Sequence, residues 1–345
     1  MIDIDVGRAF RKIGGTPLVH VPMLSPVWAP DIKVFAKLER HNPTGSVKDR
    51  IAEYLVNDAI AQRGDLLTTI VEASSGNTAS AVAAASAQKG LGCVIFIPNK
   101  TSEEKKLITE SYGAKVIRAE IDQDYMQLAK DYAESLGNQA VFLNQYDNLM
   151  NREAHFRETG PEIIQDMQGG VIDAFVSVAS TGGTISGIGE CLKNYDEQIR
   201  VVMADPIYSV LFDEFYRHRN PNYQPVMITP DGHLREGMRF RDTLIEGVGK
   251  KRVPNNINFD IIDQAEKYFG GKALQLVQKI NQNTDLSIGA SSGANALIAQ
   301  RVAEQLASEG REEANIITIF ADGSEKYKSK FENSEWLTDA MQYDH

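Results

Sequence analysis

This 345-residue sequence predicts an α/β fold with mostly parallel sheets. Three observations carry that expectation. Short β-rich runs alternate with helical patterns, the order that builds parallel sheets through crossover helices. Several runs are apolar without interruption, as Val94-Ile95-Phe96-Ile97 is, which suits strands covered on both faces. Glycines stand where helices would end, at Gly90 and Gly113.

In chain order, the expected strands cover 34–38, 69–72, 93–97, 115–118, 174–178, 201–204 and 316–320. The expected helices cover 47–62, 78–89, 102–111, 126–135, 184–193, 273–279 and 294–304. The stretch 207–257 is irregular. It holds Pro221, Pro225, Pro230 and Pro254 with charge clusters at Arg235-Glu236 and Arg239-Phe240-Arg241, and reads as surface loop with short helices. The tail after Lys328 is polar, with Trp336 and Tyr343 placed to pack on the body or on a partner.

Length allows two domains or one large one. Composition is that of an ordinary globular chain, 42% hydrophobic and 24% charged. The 36 basic and 47 acidic residues leave a formal charge of −11, which argues against nucleic acid and anionic membrane as partners. A small anionic ligand, held by local amides, stays open. The N-terminus lacks a basic segment followed by an apolar run, so no signal peptide is expected. No apolar run is long enough to span a bilayer. Two cysteines, Cys93 and Cys191, are too few for a disulfide framework or a zinc site and read as buried free thiols in a reducing, cytoplasmic setting. The six histidines are scattered without ligand spacing, so no metal is expected.

Ligands of open α/β sheets bind beyond the carboxyl ends of the strands. Four junctions there carry unusual chemistry. Residues 42–50, NPTGSVKDR, run a turn into a helix whose first turn holds Lys48. A cation is out of place at the positive end of a helix, and the dipole together with burial would depress its pKa. A lysine so depressed is a Schiff-base nucleophile. After the strand at 69–72 come Ser74, Ser75, Gly76, Asn77 and Thr78, hydroxyls and an amide around a glycine at a helix start. Such a loop suits a carboxylate, although Ser, Asn and Thr are also good caps. Ser180-Thr181-Gly182-Gly183-Thr184 opens another helix and suits one phosphate. It has neither the lysine of a Walker loop nor the spacing of a dinucleotide site. Gly289-Ala290-Ser291-Ser292-Gly293-Ala294 opens a further helix, and simple capping explains it equally well. A phosphate cup, a carboxylate loop and a poised lysine together suggest pyridoxal 5′-phosphate.

The motifs NPTGSVKDR, SSGNT, QY…H…TGPEI over 145–163, STGGT, EGVG at 246–249 and GASSGA stand in the order of a known family. Over roughly residues 8–338 the chain resembles the cysteine synthases and cystathionine β-synthases, fold-type II pyridoxal-phosphate enzymes. The resemblance implies two open, mostly parallel twisted sheets flanked by helices, a tryptophan synthase β-like fold, with the cofactor in the cleft between two domains. Residues 1–40 with 156–345 would form the large cofactor-binding domain. Residues 41–155 would form a smaller mobile one carrying Lys48 and the SSGNT loop.

By the same resemblance Lys48 carries the cofactor and later moves the substrate's α-proton. Asn77 bonds the cofactor's 3′-oxygen, Ser180, Thr181, Gly182, Gly183 and Thr184 cup its phosphate, and Ser291 faces its pyridine nitrogen. Ser74, Ser75, Gly76, Asn77, Thr78 and Gln145 grip the substrate carboxylate, with Gly247 beside the substrate. The implied reaction is β-replacement on a serine-type substrate through an α-aminoacrylate. The leading expectation is cysteine from O-acetylserine or O-phosphoserine and sulfide. Cystathionine from serine and homocysteine, an amine nucleophile, and serine or threonine deamination are the alternatives. A homodimer is implied.

Several positions depart from the family pattern. Ser180 stands where glycine is usual, Ser74 where threonine is usual and Ala79 where glycine is usual. The 206–245 stretch is longer than in typical cysteine synthases. Lys250 follows Gly249 where cystathionine β-synthases usually have an aromatic residue. The segments 204–206 and 322–337 are closer to cystathionine β-synthase, whereas TGPEI is closer to cysteine synthase. Neither a haem-binding segment before residue 10 nor a tandem regulatory module is expected.

Overall fold

A computed structural model describes residues 12–225 and 244–342. Pro230, Arg235, Arg239, Arg241 and Tyr343 lie outside the described residues. Among the described residues the strands are β1 (Leu18–His20), β2 (Ile32–Leu38), β3 (Thr69–Ala73), β4 (Gly92–Ile97), β5 (Lys115–Arg118), β6 (Ala140–Phe142), β7 (Ala174–Val178), β8 (Arg200–Pro206), β9 (Gln264–Tyr268) and β10 (Ala314–Phe320). The helices are α1 (Lys48–Arg63), α2 (Asn77–Gln88), α3 (Glu103–Ser111), α4 (Tyr125–Ser135), α5 (Met150–Ala154), α6 (Gly160–Asp166), α7 (Gly183–Tyr195), α8 (Leu211–Arg219), α9 (Gly270–Asn283), α10 (Ala290–Ser308), α11 (Lys328–Phe331) and α12 (Ser334–Gln342).

Two sheets result. The larger runs β1-β2-β10-β7-β8-β9 and the smaller β5-β4-β3-β6. Every pairing is parallel except that of β1 with β2. The apolar runs are explained by what covers them. In β10, Ile316 and Phe320 join the core under α9 and α10, while Ile317 and Ile319 join a second core with Ile188, Leu192 and Phe215. Both faces of the strand are thus buried, so alternation disappears from the sequence. The smaller sheet repeats the pattern, with Ile70 packed among α1 and α2 residues and Val71 among α4 residues.

Each expected strand and helix is present, most of them longer by a few residues. Three strands and several helical pieces are additional. β1 and β6 are three residues long, too short for a pattern. β9 reads Gln-Ala-Glu-Lys-Tyr, a composition that favours helix, and is drawn into a strand by its place on the sheet edge beside β8. Gly160-Pro161 looks like a break, yet a π-helical turn at His155–Thr159 joins α5 to α6, and Pro161 sits in the first turn of α6, where its missing N–H costs little. Gly90 and Gly113 both have positive φ just past a helix end, as expected. Cys93 is a buried free thiol, but Cys191 corrects the expectation. It lies on α7 and is only half-buried, because that side of the helix reaches the surface. Trp336 packs against the main core. No helix among the described residues is long and apolar enough to cross a membrane.

Candidate active site

The NPTGSVKDR segment is held from within. Asp49 folds back over the turn, its carboxylate accepting from the Thr44 N–H at 3.1 and 3.2 Å, the Thr44 hydroxyl at 2.9 Å and the Ser46 N–H at 3.4 Å. Gly45 takes φ +81°, which only glycine adopts cheaply. Arg50 is fully buried and makes two forks. It donates to both oxygens of Glu39 at 2.7 and 2.8 Å and to both of Glu162 at 2.8 Å. Glu162 lies on α6, so this contact joins the first helix of the smaller-sheet unit to the larger one. Lys48 therefore begins α1 directly before two anchored residues, Asp49 and Arg50.

Lys48 keeps some exposure but is densely surrounded. Desolvation lowers its ammonium pKa to about 8, against an opposing pull from Asp322. The helix start is pinned to the segment carrying that carboxylate: the Val47 N–H donates to the Ala321 carbonyl at 2.9 Å, and Ser46 forms an isolated bridge with Asp322. Asp322 is buried, and burial raises its carboxyl pKa. Its Oδ2 accepts from Asn77 Nδ2 at 2.7 Å and from the Tyr327 hydroxyl at 2.8 Å, while Oδ1 has no partner. Lys326 Nζ donates to Asn77 Oδ1 at 2.8 Å. Asn77 thus keeps one amide hydrogen uncommitted.

Gly289–Ala294 opens α10 after α9 and not after a strand, a correction to the expected junction, and it packs against the same segment. The Gly289 N–H donates to the Asp322 carbonyl, and a Cβ at Gly289 would lie 2.0 Å from Asp322 Oδ1. Glycine is required there. Ser292 is buried and accepts from the Ala321 N–H at 3.0 Å, whereas the neighbouring Ser291 is half-buried.

Ser180–Thr184 connects β7 to α7, whose N-terminus has no side-chain cap. Its first-turn N–H groups are therefore open to an anion. Both glycines are required by packing behind the loop. Gly182 has φ +91°, and a Cβ there would meet Ile257 at 2.2 Å. A Cβ at Gly183 would meet Asn151 Oδ1 at 2.0 Å. A bare cup is the consequence. His155 supports it from below, Nε2 lying 3.2 Å from the Thr184 hydroxyl and Nδ1 lying 2.9 Å from the Thr159 hydroxyl. Burial, with Lys48 and Arg50 nearby, drives the His155 pKa well below its usual value, so the ring is neutral. The Ser180 hydroxyl donates to the Gly247 carbonyl. Gly247 is exposed and touches this loop through that bond.

Ser74–Thr78 connects β3 to α2, and this helix too lacks a side-chain cap. Thr78 donates to Gln145 Oε1 at 2.7 Å, which turns the Gln145 amide hydrogens outward. Buried Glu72 accepts from the Ala73 N–H at 2.7 Å and from the Gln145 N–H at 3.3 Å, tying the two segments together. Asn151 Nδ2 bridges the two loops, bonding the Gln145 carbonyl at 2.7 Å and the Thr181 hydroxyl at 3.0 Å.

All four helix-opening loops therefore meet. Asp322, Lys326, His155, Asn151 and Lys250 also meet there, and sequence reasoning assigned them no role. His155 lies within the QY…H…TGPEI motif, and Lys250 is itself a departure from the family pattern. Among the described residues no cluster of His, Cys, Asp or Glu has metal-binding form. The donor set fits pyridoxal phosphate: an uncapped helix start with hydroxyls for the phosphate, an amine of lowered pKa, and an amide with a spare hydrogen.

Comparison with known proteins agrees. The family described as pyridoxal-phosphate dependent enzyme matches residues 9–322. Cysteine synthase 1 of Emericella nidulans is 35% identical over 337 residues, covering 95% of this chain and 85% of that protein. Cysteine synthase of Staphylococcus aureus is 31% identical, covering 95% and 97%. Cystathionine beta-synthase of Apis mellifera is 32% identical over 94% of this chain but only 61% of that protein. Among solved structures, O-ureido-L-serine synthase superposes with a TM-score of 0.77 at 27% identity, covering 95% and 93%.

Proposed function

The chain belongs to the pyridoxal-phosphate dependent enzymes, among the cysteine synthases and cystathionine β-synthases, and from that premise we propose that it makes L-cysteine by β-replacement on O-acetylserine or O-phosphoserine with sulfide. The observation that carries this reading is Lys48, desolvated at the start of α1 within the same cleft as two uncapped helix starts.

Bound in that cleft, pyridoxal phosphate supplies an electron sink that acidifies the substrate's Cα–H and lets a β-substituent depart. Ser180 to Thr184 hold its phosphate, the spare Asn77 amide hydrogen its 3′-oxygen, and Ser291 its pyridine nitrogen. A neutral serine there keeps the sink weak and favours elimination over transamination. Lys48 Nζ holds the cofactor and then takes the α-proton. With a pKa of about 8, roughly one Lys48 in ten is free amine at pH 7, against fewer than about one in a thousand for an ordinary lysine. Ser74, Ser75, Gly76, Asn77, Thr78 and the outward amide of Gln145 hold the substrate carboxylate and exclude water. Residues 41–155 form the mobile domain, and Lys105 on α3 reaches Glu246 across the mouth of the cleft, a contact suited to closure. The enzyme acts as a cytoplasmic homodimer.

The test is product identification by mass, with O-acetylserine, O-phosphoserine and serine each supplied with sulfide and with homocysteine. Cysteine from an activated serine supports the proposal and names its donor. Cystathionine from serine overturns it in favour of the other branch. Keto acid released without a nucleophile overturns β-replacement itself.

A further inference from the structure

Lys250 is a second lysine in this cleft that the reaction above does not use. The segment leading to it starts at the phosphate-type loop, where Ser180 bonds the Gly247 carbonyl, and ends against Tyr146, the residue after Gln145. Its backbone is fixed at both ends: the Lys250 N–H donates to the Ser209 hydroxyl at 3.0 Å, and its carbonyl accepts from the Val210 N–H at 3.0 Å. The ammonium lies 4.9 Å from the centre of the Tyr146 ring and 3.5 Å from its hydroxyl. Two residues on, Arg252 flanks the same ring at 5.8 Å, but there the charge is answered by both oxygens of Asp147 at 3.1 Å.

No carboxylate answers Lys250 among the described residues. The charges that act on it are those of Lys48 and Arg252, and with desolvation they lower its pKa to about 8. A half-buried cation beside another cation is costly unless something supplies the opposite charge. An ammonium has three donors, and the Tyr146 hydroxyl can take one. The remaining donors point to a ligand. The substrate α-carboxylate already has the uncapped start of α2 and the Gln145 amide.

We propose that Lys250 is a specificity residue that receives a second anionic group, carried beyond the α-carboxylate by one of the reactants. Its source is either the phosphate of the leaving group or a carboxylate on the incoming nucleophile. The inference rests on the β-replacement reading for its two sources, but the anion subsite is measurable without turnover. A charge-assisted hydrogen bond contributes roughly 10- to 100-fold in affinity.

The experiment compares wild-type holoenzyme with Lys250→Met, which keeps the stem over Tyr146, and Lys250→Arg, which keeps the charge. Calorimetric titration uses two unreactive analogues, 2-amino-3-phosphonopropionate and L-alanine. If the leaving group is the source, wild type binds the phosphonate at least about tenfold more tightly than the methionine variant does, alanine affinity is unchanged, and arginine restores the difference. If the nucleophile is the source, phosphonate affinity is unchanged. The methionine variant then raises KM for homocysteine about tenfold or more with kcat retained, and leaves KM for sulfide as it was. Equal effects on charged and uncharged ligands, or none, overturn the proposal. A wild-type protein that turns over no serine-type donor overturns the β-replacement reading and with it the nucleophile source; the phosphonate titration then decides the leaving-group source alone, and no phosphonate discrimination overturns the proposal.

Discussion

Arg50→Met removes the guanidinium that joins α1 to α6 and leaves the rest of the KDR triplet in place. Glu39 and Arg50 are both fully buried, and four short hydrogen bonds between Arg50 and the two glutamates disappear together. Glu39 keeps only the Thr16 hydroxyl at 2.7 Å and the Asn42 amide at 2.7 Å. Breaking one partner of a buried pair costs about 3–5 kcal/mol, because the stranded charge remains in low dielectric. That is a large share of a typical folding stability of about 5–15 kcal/mol. Denaturant unfolding followed by tryptophan fluorescence reads it as a lower midpoint with an unchanged slope. The double variant Glu39→Gln with Arg50→Met recovers much of the loss. A single variant within about 1 kcal/mol of wild type, or a double variant that recovers nothing, would refute the reasoning.

Other expectations follow from the same geometry. Burial raises the Glu72 pKa to about 7, above its ordinary 4.5, so wild-type stability falls as pH rises across that window. Glu72→Gln gains on wild type by something on the order of 2–3 kcal/mol between pH 5 and pH 8, and a pH-independent difference in unfolding midpoints would contradict this. Thr184→Ala removes a hydroxyl from the phosphate cup, and its equilibrium affinity for pyridoxal phosphate drops roughly tenfold or more; unchanged retention on dialysis would exclude that role. Gly183→Ala forces a Cβ to within 2.0 Å of Asn151 Oδ1, so the cup deforms and cofactor binding weakens more than in Thr184→Ala. Equal or tighter binding would show that the loop can shift freely.

What was legible in the sequence was what is local. Strands buried on both faces announce themselves as apolar runs, and three strand-to-helix loops and one helix-to-helix loop stand out through consecutive residues. The glycines of Ser180–Thr184 stood out in the sequence, but the packing that demands them did not, because Asn151 and Ile257 approach from distant segments. Asp322 was out of reach for the same reason. Its carboxylate meets Asn77 across 245 positions, and only the fold brings them to 2.7 Å. The edge strand β9 was hidden because its residues favour helix and its pairing with β8 overrides them. Lys250 was visible as a departure, yet only the structure shows that no carboxylate answers it among the described residues, while Arg252, two residues on, has one.

The central claim is that Lys48 carries the cofactor. Two lysines in the cleft have pKa values lowered to about 8, Lys48 and Lys250, so pKa alone does not choose between them. Borohydride reduction of the purified, cofactor-loaded protein, followed by digestion and mass analysis, fixes the pyridoxyl group to one residue. The account predicts the label on Lys48 alone. A label on Lys250, or on any other lysine, would contradict it.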